Sequence, residues 1–215
     1  MKNNQILLKC MGSVSLMTLF TYGGTDNLNA AERPNILWLT AEDMDPNLGC
    51  YGDTYAKTPN LDRLAKQGVR YTQCFATAPA CSPARSTLIT GVWPNSMGTL
   101  HLRNRTIKVP EWIRPYPKYL RDAGYYCTNN VKQDYNYNWP ENIWNNNSNK
   151  AHWRNRKDEK QPFFSVFNFT ETHQSGIRKF KPKTYNPKKA PIPPYYPDTE
   201  EVREDIASHY ETITM

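Results

Sequence analysis

The segment from Cys81 to Gly91 reads Cys-Ser-Pro-Ala-Arg-Ser-Thr-Leu-Ile-Thr-Gly. It predicts a short helix that begins at the cysteine, because proline is tolerated in a first turn, where its missing N–H would have no helical partner. A helix start carries positive partial charge and free N–H groups, which favour an anion or a nucleophile that becomes anionic. Arg85 lies one turn later on the same side. Taken alone, this spacing also fits a buried small residue beside a surface charge.

Two carboxylates follow the first strand-like segment. Residues 33–40 place a short apolar run after a proline, which predicts a buried strand. Glu42 and Asp43 come directly after this run, at the strand end where open α/β sheets place their sites. Adjacent carboxylates repel unless a cation lies between them, and oxygen ligands suit Ca²⁺ or Mg²⁺. The alternative is a solvated acidic turn.

Two other predicted strands end near residues suited to catalysis. We expect a strand over residues 125–129 after a short helix over 116–123, and Lys132 follows that strand. Residues 162–169 are the most strand-like run in the chain, and His173 stands just past its end, where a histidine can protonate a leaving oxygen. Without further context, these two residues would be a surface charge and a structural histidine.

The remaining segments are predicted from their composition. We expect a helix over residues 58–68, a strand over 70–76 and a last helix after Thr199. Residues 133–153 are rich in Asn, Tyr and Trp, which fits either a loop that stacks on sugars or plain packing. Residues 176–197 hold six prolines and six basic residues and predict an extended, basic linker.

Together these motifs resemble the type I sulfatases, a formylglycine-dependent family of the alkaline-phosphatase-like superfamily. Cys81, Pro83, Arg85, Thr90 and Gly91 match the family signature, in which the cysteine is converted to formylglycine and its hydrated aldehyde is the nucleophile. The resemblance implies an alkaline-phosphatase-like α/β/α sandwich. It also implies hydrolysis of sulfate esters or sulfamates.

The resemblance further implies a metal site. Its expected ligands are Glu42, Asp43 and the modified Cys81, and its expected ion is Ca²⁺, with Mg²⁺ less favoured. The first strand of the family normally ends in Asp-Asp, so Glu42 keeps the charge of the first aspartate but adds a methylene.

Catalytic roles are implied for Cys81, Arg85, Lys132 and His173, with Lys132 and His173 also contacting the substrate sulfate. One position departs from the family pattern, because Asp134 occupies the place of a histidine that helps to orient the nucleophile. An ionised carboxylate cannot donate the same hydrogen bond. The role of Asp134 is therefore open.

Composition indicates the class of partner. The net charge of +7 favours polyanions such as a sulfated polysaccharide, while the lack of zinc-finger spacing and of a glycine-rich phosphate loop argues against nucleic acid. Residues 194–203 resemble the heparan N-sulfatase (sulfamidase) branch of the family. The family also implies a formylglycine-generating or other sulfatase-maturing enzyme as a partner.

Residues 1–30 are predicted to be a signal peptide, with early lysines, an apolar run too short to span a bilayer and a small-residue cleavage site. We therefore expect a periplasmic or secreted protein without a stable membrane span. Residues 31–215 resemble the N-terminal part of the catalytic domain, and the family's remaining part supplies an Asp-Asn metal pair and another lysine. We accordingly expect these 215 residues to be inactive alone.

Two other functions are open. A phosphatase or phosphodiesterase on the same scaffold would use serine or threonine as its nucleophile, which the Cys81 motif disfavours. A truncated, non-catalytic remnant that binds polyanions is favoured by Glu42, by Asp134 and by the basic linker.

Overall fold

The computed structural model describes residues 33–103, 106–138, 142–177, 179 and 182–214. The predicted signal peptide lies outside these residues. Within the described ranges, no helix combines the length and the apolar character needed to cross a membrane.

In the part of the chain that the structure describes, four parallel strands form one sheet in the order β1-β4-β2-β3. Their bounds are β1 Ile36–Ala41, β2 Tyr126–Asn130, β3 Asn146–Asn147 and β4 Phe163–Phe169. The three longer strands are those predicted from the sequence, because apolar and β-branched or aromatic runs fit a pleated, buried surface.

Helices connect and flank these strands. They are α1 Pro59–Gln67, α2 Cys81–Thr90, α3 Pro94–Met97, α4 Tyr116–Asp122, α5 Gln174–Ile177 and α6 Glu200–Thr214, with single 3₁₀ turns at Gly49–Tyr51, Trp153–Asn155 and Pro187–Lys189. A parallel sheet with intervening helices is the predicted α/β class. The helix expected at the cysteine motif is α2.

The main core lies on one face of the sheet. Trp38 of β1 and Phe164 of β4 have ring centroids 6.2 Å apart, and Tyr116 at the start of α4 lies 5.5 Å from Phe164. Ile89 of α2 belongs to the same buried cluster. This face therefore fixes the helix that carries the cysteine motif against the strands.

The Asn- and Tyr-rich segment contributes to this core. Tyr135, Tyr137 and Trp144 are buried, and the Trp144 ring stacks on Phe164 at 5.8 Å. Of the two interpretations of residues 133–153, packing is thus the one that the structure supports for these aromatic side chains.

The opposite face of the sheet is incompletely covered at β1. Leu37 and Leu39 are half exposed, and β1 is an edge strand of the sheet among the described residues. A groove of about 620 Å³ beside this face is lined in part by Leu39, Phe169 and Leu61. Leu61 and Leu64 of α1 are 38% and 60% exposed, so the leucines of this helix lie largely in solvent.

The strand predicted over residues 70–76 is wrong. These residues have no regular secondary structure, and the side chains of Tyr71 and Phe75 are 71% and 84% exposed. Alternating polarity in the sequence is not enough to form a strand, because a strand also needs a neighbouring strand for its backbone hydrogen bonds.

A second, smaller cluster fixes the last helix. The rings of Tyr55 and Tyr210 meet edge to face at 4.8 Å, and Tyr185 packs beside both. Glu211 of α6 accepts hydrogen bonds from the backbone N–H groups of residues 183 and 184 at 3.1 and 2.9 Å. Part of the predicted basic linker is therefore tied to α6.

Replacing Trp144 with alanine tests its place in the core. We expect the free energy of unfolding to fall by about 3–5 kcal/mol, because a large-to-small change leaves a cavity. Urea denaturation measures this. Trp112, which is 69% exposed, is the control, and Trp112→Ala should change the value by less than about 0.5 kcal/mol. Equal losses of unfolding free energy in the two variants would contradict the place of Trp144 in the core.

Glu211 makes the stability pH-dependent. Burial opposes its ionisation, but the hydrogen bonds from Thr184 and Lys183 outweigh burial, so the pKa of Glu211 lies below its ordinary value of 4.5. A lowered folded-state pKa stabilises the fold above the unfolded-state pKa and loses this effect as the pH falls through the folded-state pKa. We expect Glu211→Gln to lower the melting temperature at neutral pH, with the difference shrinking below pH 4.5. Glu159→Gln, at an exposed position, is the control. A difference in melting temperature between wild type and Glu211→Gln that stays constant with pH would contradict the stabilising role of the ionised Glu211.

Candidate active site

The candidate residues gather where three parallel strands end. Glu42 and Asp43 follow β1, Lys132 and Asp134 follow β2, and His173 follows β4. Since the carboxyl ends of parallel strands share one edge of a sheet, the sequence motifs converge there.

Helix α2 brings Cys81 to this edge. Ala80 is the N-cap in an extended conformation, Cys81 is the first helical residue, and the helix ends at Gly91, whose φ of 72° is left-handed. Ser82 and Pro83 are buried, so the first turn is anchored in the protein. The cysteine therefore lies at the positive end of a ten-residue helix.

The Cys81 thiol donates a hydrogen bond to Asp134. Its Sγ lies 3.2 Å from Asp134 Oδ2 and 3.7 Å from Arg103 Nη2. Burial raises the pKa of Cys81, and the hydrogen bond to Asp134 raises it further, while the charge of Lys132 opposes both. The unmodified residue is consequently held as a neutral thiol.

Asp134 is the point at which the site's charges meet. Its Oδ2 lies 3.6 Å from Lys132 Nζ and 3.5 Å from Arg103 Nη2. Burial would raise the pKa of Asp134, but the hydrogen bond from Cys81 and the charges of Lys132 and Arg103 together lower it. The residue whose role the sequence left open is thus an ionised carboxylate in direct contact with Cys81.

Lys132 also forms an ion pair with Glu42, whose side chain is only 7% exposed. The backbone carbonyl of Glu42 accepts a hydrogen bond from the Thr172 hydroxyl. Asp43 is exposed, has a φ of 46° and accepts a long hydrogen bond of 3.4 Å from the Gln174 N–H. The two expected metal ligands are therefore adjacent but differ in environment.

A metal ion fits these residues only in part. Glu42 and Asp43 offer the hard oxygen atoms that Ca²⁺ and Mg²⁺ prefer. In the described ranges, however, no three His, Cys, Asp or Glu side chains are grouped so that they could hold a metal ion. The third expected ligand, Cys81, contacts Asp134 and Arg103 instead.

Arg85 is buried and holds the loop that follows β2. Its Nε donates to the carbonyl of Gln133, and its Nη2 donates to the carbonyl of Lys132 and to Asn168 Oδ1, each at 2.7 Å. Asn168 of β4 in turn donates to Asn129 of β2 at 3.0 Å. These contacts fix the position of Lys132 relative to α2.

His173 lies apart from this cluster in its described contacts. Its Nδ1 is 2.8 Å from the Ser175 hydroxyl and accepts from the Ser175 N–H at 3.2 Å. The structure thus gathers Cys81, Lys132, Asp134 and Glu42, and it holds the His173 ring in a local turn.

Sequence reasoning missed two members of the site. Arg103, in an irregular segment, reaches both Cys81 and Asp134, and no pattern in the sequence points to this contact. Asn168 had a signal, because an asparagine inside an apolar strand needs hydrogen-bond partners where it is buried.

Comparisons with known proteins identify the family. A family model described as Sulfatase matches residues 34–214. An ulvan-active sulfatase from Formosa agariphila is 36% identical over 234 residues, which cover 86% of this chain and 39% of the relative. An N-acetylgalactosamine-6-O-sulfatase from Bacteroides thetaiotaomicron is 38% identical over 96 residues, covering 44% of this chain and 19% of the relative. The chain thus spans less than half the length of these relatives.

Solved structures share the fold. A protein determined in complex with its substrate D-glucosamine-2-N,6-O-disulfate matches with a TM-score of 0.55 and 21% identity, covering 66% of this chain and 35% of the other. A 2-O GAG sulfatase matches with a TM-score of 0.57 and 19% identity, covering 78% of this chain and 42% of the other. The fold is therefore the alkaline-phosphatase-like α/β fold. Since the family model spans almost the whole described chain, including the motif at Cys81, the chain belongs to the type I sulfatase family and corresponds to its N-terminal portion.

Proposed function

We propose that residues 31–215 are the N-terminal part of the catalytic domain of an exported sulfatase, which hydrolyses sulfate esters or sulfamates of a sulfated glycan. The observation that carries this proposal is the position of Cys81, at the start of α2 and beside the cations of Lys132 and Arg103. A positive helix end and two cations suit an anionic substrate and a reaction in which negative charge develops.

A sulfated saccharide is the proposed substrate class. The names of the related proteins refer to ulvan and to N-acetylgalactosamine-6-O-sulfate, and one related structure holds a glucosamine disulfate. The net charge of +7 is consistent with a polyanionic partner. Export is proposed on the basis of residues 1–30, whose composition fits a signal peptide.

Cys81 is the proposed nucleophile after conversion to formylglycine by a sulfatase-maturing enzyme. The hydrated aldehyde would supply one hydroxyl that attacks sulfur while the bond from sulfur to the saccharide oxygen or nitrogen breaks, and its second hydroxyl would then expel sulfate and restore the aldehyde. Asp134 Oδ2 lies 3.2 Å from the side-chain atom at position 81 and is ionised, so it can accept a hydrogen bond from the attacking hydroxyl. Before substrate binds, Asp134 thereby orients the nucleophile as an acceptor rather than as a donor.

Lys132 is the proposed charge-stabilising residue, because its ammonium lies between Glu42 and Asp134. Arg85 acts through Lys132, since its guanidinium holds the backbone of residues 132 and 133. His173 is proposed to assist the leaving oxygen, for which its ring would have to turn from Ser175 toward Cys81.

Glu42 and Asp43 are proposed as two ligands of a divalent metal, Ca²⁺ rather than Mg²⁺. Such an ion would supply Lewis-acid polarisation of the sulfate oxygens. Among the residues that the structure describes, no third His, Cys, Asp or Glu side chain is placed to complete such a group with them.

A non-catalytic polyanion-binding protein is the second candidate. The specific observation in its favour is the ion pair between Glu42 and Lys132, which neutralises a proposed metal ligand with a side chain of the protein itself. Binding of heparin that weakens with salt and occurs without sulfate release would support it.

Conversion of Cys81 tests the main proposal. When the chain is co-expressed with a formylglycine-generating enzyme, we expect mass spectrometry of the tryptic peptide 71–85 to show loss of the thiol sulfur at Cys81. Cys74, on the same peptide and exposed, is the internal control and should keep its sulfur. In a catalytic domain that joins this chain to the remaining part expected of the family, release of sulfate from a sulfated saccharide should require conversion and be absent from Cys81→Ala. Conversion without release would favour the second candidate, and no conversion would contradict the proposed nucleophile.

Arg85→Lys tests the positioning role of Arg85. Lysine keeps the charge but lacks the planar fork from which Nε and Nη2 of Arg85 bond two carbonyls and Asn168. We expect the free energy of unfolding to fall by about 2 kcal/mol, the scale of buried hydrogen bonds to a charged group, and amide exchange at residues 132–134 to accelerate. Exposed Arg63→Lys is the control. Unchanged exchange at residues 132–134 would show that Arg85 does not hold this loop.

A further inference from the structure

Asp134 Oδ2 occupies a small anion site. Three groups surround this one oxygen atom: the Cys81 thiol at 3.2 Å, Arg103 Nη2 at 3.5 Å and Lys132 Nζ at 3.6 Å. A carboxylate oxygen resembles a sulfate oxygen in charge and in accepting hydrogen bonds. The position it fills is therefore suited to an oxygen atom of a sulfate group next to residue 81.

Arg103 stands at the mouth of this site in an unusual backbone conformation. Its φ of 56° is in the left-handed region, which is uncommon for residues other than Gly, Asn and Asp. Unfavourable backbone conformations persist where the surrounding structure enforces them, and they cluster at functional sites. Asp43 and Asp134, two other residues of the site, also have positive φ.

The segment that carries Arg103 is held in place from two sides. The buried Asn136 side chain donates to the carbonyls of Thr99, at 2.6 Å, and of His101. The Thr99 hydroxyl also lies 2.9 Å from the Ser86 hydroxyl of α2. These contacts fix the chain shortly before Arg103 to both α2 and the loop of Asp134.

The two arginines near Cys81 differ in what they can bind. Arg85 is 8% exposed, and its guanidinium bonds the loop after β2. The Arg103 side chain is 52% exposed, and its contacts with the described residues involve only Nη2. An incoming anion can therefore reach Arg103 directly.

We propose that Arg103 is a substrate-binding residue. Together with Lys132, it holds an oxygen of the substrate's sulfate group at the place that Asp134 Oδ2 fills when no substrate is bound. This rests on the proposed function and adds two features to it: a recognition residue outside the cysteine motif, and an internal carboxylate that competes with the substrate anion.

Protection of Cys81 from alkylation tests this in the unconverted protein. The chain is produced without a maturing enzyme, its thiol is verified by mass, and it is treated with iodoacetamide at increasing concentrations of inorganic sulfate and constant ionic strength. Tandem mass spectrometry of peptide 71–85 then separates modification of Cys81 from that of Cys74. The measured quantity is the sulfate concentration that halves the Cys81 rate relative to the Cys74 rate, so a changed thiol reactivity cancels within each variant.

We expect Arg103→Ala to raise this concentration about five-fold, the scale of a partly exposed ionic contact. Arg103→Lys should give a sulfate concentration between those of the wild-type protein and Arg103→Ala, because lysine keeps the charge but not the planar guanidinium. Asp134→Asn should lower the concentration about three-fold or more, because the competing anion is gone. Arg114→Ala is the matched control, since Arg114 forms a comparable exposed ion pair with Asp122, and it should have no effect.

An Arg103→Ala protein that sulfate protects as well as wild type would overturn the inference while leaving the proposed function in place. Weaker sulfate binding in Asp134→Asn would overturn the competing role of Asp134. Failure of sulfate to protect the wild-type protein would overturn the anion site itself. Failure of the proposed function would be seen separately, as the absence of conversion and of sulfate release.

Discussion

The Arg85 guanidinium is the contact on which the site depends. It joins helix α2, the loop after β2 and Asn168 of β4 through three hydrogen bonds of 2.7 Å. A buried arginine is stable only when its donors are satisfied, so these three parts must take up one relative position. Because Cys81 begins the same helix and Lys132 lies in the same loop, the distance between the proposed nucleophile and the Lys132 cation follows from a contact that involves neither side chain.

The charges around Cys81 balance in pairs. Glu42 is matched by Lys132, and Asp134 by Lys132 and Arg103. An additional anion or cation therefore enters by replacing one partner of an existing pair. Lys132 is central to both exchanges, because a metal at Glu42 would release it toward Asp134, and a sulfate would draw it away from Asp134.

Local sequence predicted the parts of the site that local structure determines. The proline in the first turn and the closing glycine suffice to place Cys81 at a helix start, and the apolar runs suffice for β1, β2 and β4. Arg103 was not predictable, because its contacts depend on how an irregular segment is tied down by Asn136. For Asp134, the family resemblance indicated a place beside residue 81 and left its role open, and its hydrogen bond with Cys81 depends on the folded loop. Residues 70–76 show the converse, an alternating pattern without a strand to pair with.

Among the described residues β1 is an edge strand, and this edge would link assembly to the proposed metal ligands Glu42 and Asp43. An edge strand offers a row of unpaired N–H and C=O groups, and here exposed leucines at positions 37 and 39 lie beside them. A parallel strand added at this edge would end on the same side as β1 and would bring its following residues next to Glu42 and Asp43. Any polypeptide that pairs with β1 in this way would also be positioned to supply oxygen ligands beside these carboxylates. Affinity for a divalent ion and affinity for that polypeptide would then rise together, each acting as an effector of the other.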